Sequence, residues 1–175
     1  FVSHVRMMKT DYEDTGLAQL FGMPFVVLRK PVPFDTTTLN FNWQVWDTKA
    51  FSLYSRSTEK IDKKGADMAI AAVCRFLSRM NVLNYNVYGG YESTVLIEEE
   101  LVSLRSTASG LYIPHVKSFD SVERGQVLAD IIDPLTGVTV AQTEAPEDGI
   151  VFFAKDSPLV MENETLFKIV NKLHK

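Results

Sequence analysis

The chain has 175 residues, of which 46% are hydrophobic, so it can bury a core as one domain or as two small ones. Its net charge is -4, and its 18 basic residues form no run, which disfavours nucleic acid and anionic membranes as partners. No stretch reaches the roughly 18 uninterrupted apolar residues of a membrane span, and the lone cysteine, Cys74, suits a reducing compartment. The composition therefore predicts a cytoplasmic globular protein.

The start of the sequence resembles the interior of a longer protein. A translated chain begins with methionine, whereas this one begins with Phe1. We therefore expect the sequence to be the C-terminal portion of a larger protein.

The first half of the sequence alternates between helix-like and strand-like segments. A helix-like stretch over 11–22 closes on a glycine and is soon followed by a proline, a common way for a helix to end. An apolar strand, FVVL, comes next. Capping candidates then precede Leu39, Trp43 and Trp46, whose spacing is helical, and AFSLY has the pattern of another strand. This alternation predicts an α/β fold.

The clearest helix signal follows Asp62, a natural N-cap residue. Apolar side chains recur there at steps of four and three: Ala66, Ile70, Val73, Leu77 and Met80. Such a stripe usually packs on a core, so we expect this face to be buried, with Cys74 beside it as inert packing. A glycine- and asparagine-containing stretch then predicts a connection between two domains. We place the domains at 1–85 and 94–175, with a linker over 86–93.

From residue 94 onward the sequence predicts an all-β domain with an internal repeat. Short β-type runs are separated by turn residues, without helical periodicity. One copy of the repeat begins at Gly110 and the other at Gly149, and Gly125 corresponds to Asn163. Both of these residue types tolerate the left-handed backbone of a tight turn. Two copies are too few for a solenoid and indicate a pseudo-twofold sandwich.

A domain with this layout is found in biotinyl and lipoyl carriers, which the segments VERGQVL and EAPEDGIV also resemble. Carrier function requires a modified lysine at the tip of the hairpin that joins the two copies. The sequence has no lysine between Lys117 and Lys155. We therefore interpret the domain as an accessory β module rather than a carrier.

Both halves together resemble the succinylglutamate desuccinylase/aspartoacylase family of zinc carboxypeptidase-like hydrolases. In the first half the resemblance rests on LAQLFGMPFVV, AFSLY, EKID and FLSRMNVL, and in the second on GLYIPHVKSFDSVERGQVLADIIDPLTG and APEDGIVF. It implies the C-terminal part of an α/β catalytic domain followed by an all-β domain of the barrel-sandwich-hybrid type. It also implies hydrolysis of an N-acyl amino acid or a similar amide, a carbon–nitrogen bond other than a peptide bond.

The resemblance further implies a zinc cofactor, held by a His-x-x-Glu pair and a later histidine upstream of this chain. The sequence given has no such set: Met7 stands where a glutamate would follow His4, and His115 and His174 lie in or after the β domain. We therefore assign no metal ligand to this chain, although His4 stays open as the later histidine. We expect the chain by itself to bind no zinc and to hydrolyse nothing.

The family also uses a glutamate at the end of a late strand as general base, and the aligned position here is Tyr54. A tyrosine hydroxyl, with an ordinary pKa near 10, is a poor base at neutral pH. Three readings stay open: Glu59, five residues on, acts as a relocated base, Tyr54 polarises the substrate, or neither takes part. Arg56 is a candidate for binding a substrate carboxylate, or a solvated loop residue. Two functions remain possible for the full-length protein, namely a zinc-dependent amide hydrolase and a catalytically inactive homologue that acts as a binding module.

Overall fold

The computed structural model describes residues 1–57, 61–84 and 89–171. The chain divides into two compact units. The α/β unit covers 2–100, and the β unit runs from Leu101 onward and includes Phe1. Among the described residues, no helix combines the length and the apolar character needed to cross a membrane.

The α/β unit is built on a four-stranded sheet. Its strands are β1 (His4–Met8), β2 (Phe25–Arg29), β3 (Ser52–Tyr54) and β4 (Thr94–Ile97). Its helices are α1 (Thr15–Gln19), α2 (Leu39–Val45) and α3 (Lys63–Arg79), with a short 3-10 segment at Pro33–Thr37. The strand order is β3-β1-β2-β4, in which β1, β2 and β4 are parallel and β3 runs antiparallel to β1. The mixed α/β arrangement confirms the predicted fold class for this half.

Local signals in the sequence explain where the first helices begin and end. The Asp14 carboxylate accepts a hydrogen bond from the Leu17 N–H at 2.9 Å and so caps α1. The turn after α1 uses Gly22 at a φ of 61°, a conformation that glycine adopts without strain. The Thr38 hydroxyl accepts from the Phe41 N–H and caps α2. These caps satisfy backbone donors that a helix leaves without intrahelical partners.

Helix α3 faces the sheet with a different side from the one its apolar stripe predicted. It begins after Asp62, as expected, but Ile70, Val73 and Met80 are exposed. The side toward the core instead carries Met68, Ala72 and Phe76, and the Phe76 ring stacks on Phe21 with centroids 4.3 Å apart. The predicted burial of the stripe is therefore wrong, because a second apolar set, offset from the stripe around the helix, is the one that packs against the core.

Strand β4 belongs to the α/β unit, although the predicted β domain began at residue 94. β4 pairs in parallel with β2, with Val95 opposite Val26, and the division between the units falls after Glu100. The sequence of β4 has the composition of any short β run, so composition did not reveal which sheet it joins. Residues 86–88 of the predicted linker lie outside the described residues.

The β unit consists of two four-stranded sheets. Its strands are β5 (Val102–Arg105), β6 (Gly110–Pro114), β7 (Ser121–Val122), β8 (Val127–Ile132), β9 (Thr139–Glu144), β10 (Gly149–Ala154), β11 (Leu159–Val160) and β12 (Thr165–Asn171). The strand orders are β5-β12-β10-β7 and β9-β8-β6-β11, and the pairings are antiparallel. Buried side chains from both sheets form one core. The finer description as a barrel-sandwich hybrid stays a prediction.

The two sheets repeat one another strand by strand. β5 to β8 correspond in order to β9 to β12, and the short strand of each copy pairs with the other copy, β7 with β10 and β11 with β6. Gly125 and Asn163 both have positive φ, 78° and 66°. Each also donates its N–H to a carbonyl just beyond the first strand of a copy, Ala145 for Gly125 and Ser106 for Asn163. The predicted two-copy repeat therefore has a counterpart in backbone conformation and hydrogen bonding.

Candidate functional site

Tyr54 lies at the end of β3, beside His4 of β1. The two residues are opposite one another in the antiparallel pairing, and their rings are stacked with centroids 4.9 Å apart and planes 9° from parallel. Phe51 and Leu53 pack against the apolar core on one face of the sheet. Because side chains alternate along a strand, Ser52 and Tyr54 point to the opposite face.

Arg6 completes the surroundings of the Tyr54 ring. Its guanidinium carbon lies 4.3 Å from the ring centroid, within the range of a cation–π interaction. The Arg6 Nη2 atom is 3.6 Å from Oε2 of Glu98, which follows directly after β4. This separation makes an ion pair but is too long for a good hydrogen bond. We refer to His4, Arg6, Tyr54 and Glu98 as the Tyr54 cluster.

The cluster lies largely away from solvent, and burial determines the charge of its histidine. His4 is fully buried, and Arg6 is less than one-tenth exposed. Burial lowers the pKa of His4 to about 4, because a desolvated imidazolium loses its hydration. The Nδ1 atom lies 2.8 Å from the Val2 carbonyl oxygen, which can only accept, so Nδ1 carries the proton and donates it. Near neutral pH the ring is therefore uncharged, with the lone pair on Nε2.

These groups suit binding and orientation better than proton abstraction. The carboxylate of the cluster, Glu98, is ion-paired with Arg6, and the aromatic rings offer a phenol and a neutral imidazole. A phenol can donate or accept a hydrogen bond, and an arginine beside it supplies positive charge. The Tyr54 hydroxyl can thus hydrogen-bond a polar group at the end of β3, whereas the charge of Arg6 is already balanced by Glu98.

Arg56 makes a contact that bears on its predicted role in binding a substrate carboxylate. Its Nε and Nη2 atoms donate to the two carboxylate oxygens of Asp62 at 2.8 and 2.6 Å. This hydrogen bond from Arg56 is the main reason that the pKa of Asp62 lies below its ordinary value. The Arg56 guanidinium that would bind a substrate carboxylate is thus bonded to Asp62, the N-cap residue of α3. Binding of substrate by Arg56 stays a prediction, and it would require exchange of one carboxylate for the other.

The remaining candidates from the sequence lie either outside the described residues or in other parts of the fold. Glu59, the predicted relocated base, lies outside the described residues, as does His174. His115 belongs to the β unit, where its Nε2 atom lies 2.8 Å from Oδ2 of Asp130. Cys74 is half-buried in α3, in keeping with the packing role that we expected.

Sequence reasoning missed Arg6 and Glu98. Alternation along HVRMM places Arg6 on the same side as His4, but only the pairing of β1 with β3 brings either residue to Tyr54, across about fifty positions of sequence. Glu98 reaches the cluster because β4 joins this sheet. The missing information was therefore strand order, which local patterns do not contain.

The described residues do not by themselves fit a zinc ion. Within 1–57, 61–84 and 89–171, no three side chains of histidine, cysteine, aspartate or glutamate are close enough together to share a metal. A catalytic zinc site needs three protein ligands and an open position. His4 could supply one imidazole nitrogen, while the neighbouring carboxylate of Glu98 is engaged with Arg6.

Comparisons with known proteins identify the fold. No protein-family model matches the sequence, and no curated protein matches it. The product-bound ectoine utilization protein EutE (DoeB) from Ruegeria pomeroyi matches in structure with a TM-score of 0.78 at 13% identity, over 98% of this chain and 54% of that one. The succinylglutamate desuccinylase/aspartoacylase from Rhodobacter sphaeroides matches with a TM-score of 0.77 at 14% identity, over 99% and 55%. A succinylglutamate desuccinylase from Silicibacter sp. TM1040 gives 0.79 at 14%, over 97% and 53%.

These matches extend along nearly the whole chain, through both of its units. The fold is therefore that of the succinylglutamate desuccinylase/aspartoacylase structures, as the sequence motifs predicted. The chain spans just over half the length of the proteins it matches, a share that agrees with the predicted C-terminal portion.

Proposed function

We propose that this chain is the C-terminal portion of a zinc-dependent hydrolase of the succinylglutamate desuccinylase/aspartoacylase family, which removes the acyl group from an N-acyl amino acid or a similar small amide. The observation that carries the proposal is the fold similarity over 97–99% of the chain, at TM-scores of 0.77 to 0.79. A small-molecule substrate is in keeping with the ectoine utilization protein among these relatives.

The metal belongs, in this proposal, to the part of the protein that this chain does not include. The described residues lack a three-ligand group, so the ligands must come from elsewhere. Zinc in such an enzyme supplies a water of lowered pKa. The residues of this chain would surround the substrate rather than bind the metal.

Within this chain, the end of β3 and the loop that follows it carry the proposed reacting groups. Tyr54 lies at the strand end with its ring held by His4 and Arg6, a rigid position from which its hydroxyl can orient a substrate. Glu59 supplies the carboxylate that a general base requires, five residues farther along. Arg56 is the proposed contact for a substrate carboxylate, in exchange for Asp62.

A catalytically inactive binding protein is the second candidate. It is favoured by one observation: the family's glutamate position holds Tyr54, and the carboxylate beside it, Glu98, is ion-paired with Arg6. On this interpretation the Tyr54 cluster binds a small polar ligand without cleaving it.

The full-length protein distinguishes the two candidates through the hydrolysis of a panel of N-acyl amino acids, measured with and without a zinc chelator. If Glu59 is the base, Glu59→Gln lowers kcat by about 10² to 10⁴ with little change in KM, and Tyr54→Phe costs much less. Glu162→Gln, a change to an exposed carboxylate of the β unit, is the matched control. Turnover of the Glu59→Gln variant within about twofold of the parent contradicts the relocated base, because a general base contributes far more than that. No turnover by the parent, with retained binding, favours the inactive homologue.

A further inference from the structure

Helix α2 is attached to the sheet through polar groups and presents apolar ones to solvent. The fully buried Gln44 donates from Nε2 to the Met8 carbonyl and the Thr10 hydroxyl, both at 2.6 Å. Asn40 donates to the Ser52 hydroxyl at 2.9 Å. A surface helix usually has the opposite arrangement, with its apolar stripe toward the core.

The outward side of α2 forms a large apolar surface together with the 3-10 segment before it. We call this surface the aromatic face. Its members and their exposed fractions are Phe34 (77%), Leu39 (66%), Trp43 (53%) and Trp46 (82%). Positions 39, 43 and 46 are separated by four and three residues, so they lie on one side of the helix. Clustered exposed apolar side chains of this size mark interaction surfaces rather than ordinary solvent-facing residues.

Helix α3, on the opposite side of the sheet, packs Met68 and Phe76 against the core but also has apolar side chains on its outer side. It packs with Ala72 against the core that contains Leu53, whereas α2 bonds to Ser52, whose side chain points the other way. The outer side of α3 exposes Ile70 and Val73. Both faces of the sheet are thus covered by helices that have apolar outer sides.

We propose that the aromatic face is an intramolecular docking surface, covered in the full-length protein by an apolar surface of the part of the α/β domain that this chain lacks. The inference rests on the proposed function, because it takes the missing part from the relatives, of whose length this chain spans 53–55%. A second copy of the chain fits less well. A twofold dimer buries one patch on each subunit, whereas apolar surface here lies on both sides of the sheet.

The sequence provides its own probe, because its two tryptophans are both on the aromatic face. The full-length protein is labelled with 5-fluorotryptophan, and the resonance of residue 46 is assigned from the Trp46→Phe variant. Its solvent isotope shift between H₂O and D₂O is compared with that of the same protein unfolded in urea. The proposal predicts loss of most of this shift at every protein concentration. Retention of the full shift, or a loss that appears only at high concentration as a second copy binds, would overturn it.

A pair of variants tests the energetic side of the inference. In the full-length protein, Trp46→Glu places a charge in the docking surface and is expected to reduce the soluble yield or the midpoint of unfolding strongly. Leu135→Glu, at a β-unit position that is 92% exposed, is the control and is expected to change neither. Equal tolerance of the two substitutions contradicts the docking surface. Neither measurement uses activity, so an inactive protein with buried tryptophans would refute the proposed function and leave this inference intact.

Discussion

In the β unit the apolar side chains of two sheets meet in one core, whereas in the α/β unit two helices hold apolar side chains toward solvent. The β unit repeats one four-strand pattern, and each copy completes the sheet of the other through β7 and β11. The α/β sheet has no such internal partner, and among the described residues β3 and β4 are its outer strands. We conclude that a repeated sequence can complete its own core, whereas a segment of a larger α/β domain depends on the further polypeptide that packs against it.

The largest expected effect is in the β core. Phe167 is fully buried and packs against Tyr112, with ring centroids 5.9 Å apart. Phe167→Ala should lower the free energy of unfolding by about 3 to 5 kcal/mol, through lost burial and the cavity that remains. Urea unfolding followed by far-UV circular dichroism measures it. Phe119→Ala, at an exposed position, serves as control. A similar cost for both substitutions would show that Phe167 does not lie in a closely packed core.

The next effect is a pH dependence of stability that distinguishes the α/β unit from the β unit. The pKa of His4 is lowered by burial, from an ordinary 6.5 to about 4. The unfolded chain therefore binds the proton more tightly, and the stability from neutral His4 is present above pH 6.5 and is lost as the pH falls toward 4. Between pH 7 and pH 5 this loss is about 2 kcal/mol.

Tryptophan fluorescence during urea unfolding measures this loss, because both tryptophans lie in the α/β unit. The lowered carboxyl pKa values, such as that of Asp62, act at lower pH and do not interfere. His4→Gln should flatten the dependence in this window, and His115→Gln, in the β unit, should leave it in place. An unchanged slope in His4→Gln would assign the dependence to another group.

A smaller effect tests the symmetry of the β unit. Gly125 and Asn163 occupy equivalent turns with positive φ. Gly125→Asn should cost only a few tenths of a kcal/mol, whereas Gly125→Val should cost about 1 to 2 kcal/mol, because a β-branched residue is strained in this conformation. Thermal unfolding compares the two variants. Equal costs would mean that the turns are not conformationally equivalent.

The smallest effect is expected on the outer side of α3. Ile70 is exposed, so Ile70→Ala in this chain should change the free energy of unfolding by no more than about 0.5 kcal/mol, as surface substitutions do. Met68→Ala, on the side that packs against the core, should cost several times more. A larger cost for Ile70→Ala than for Met68→Ala would instead support the burial of the apolar stripe that the sequence pattern predicted.

Much of the fold could be predicted from local sequence. Asp62 marks the start of α3, and the repeat around Gly125 and Asn163 gives the symmetry of the β unit. The burial of α3 could not be predicted, because periodicity finds an apolar stripe without saying what covers it. The side that meets the core carries Met68, Ala72 and Phe76, a second apolar set that the sequence analysis did not single out.

The candidate site was predictable in part. Alternation in AFSLY gives the direction of Tyr54, but its neighbours Arg6 and Glu98 come from strands that are distant in sequence. Their meeting depends on strand order, which is a property of the whole sheet. The contact between Arg56 and Asp62 was equally hidden, although only six positions separate them, because it depends on how the loop after β3 turns.

Hydrogen exchange under native conditions, measured on this chain, tests most directly whether the β unit is self-contained and the α/β unit depends on further polypeptide. Opening free energies are compared for backbone amides of β8 and β12, within Val127–Ile132 and Thr165–Asn171, and of α3, within Lys63–Arg79. The account predicts clearly larger opening free energies in β8 and β12, since α3 exposes much of its apolar surface. Equal or greater protection in α3 would contradict it.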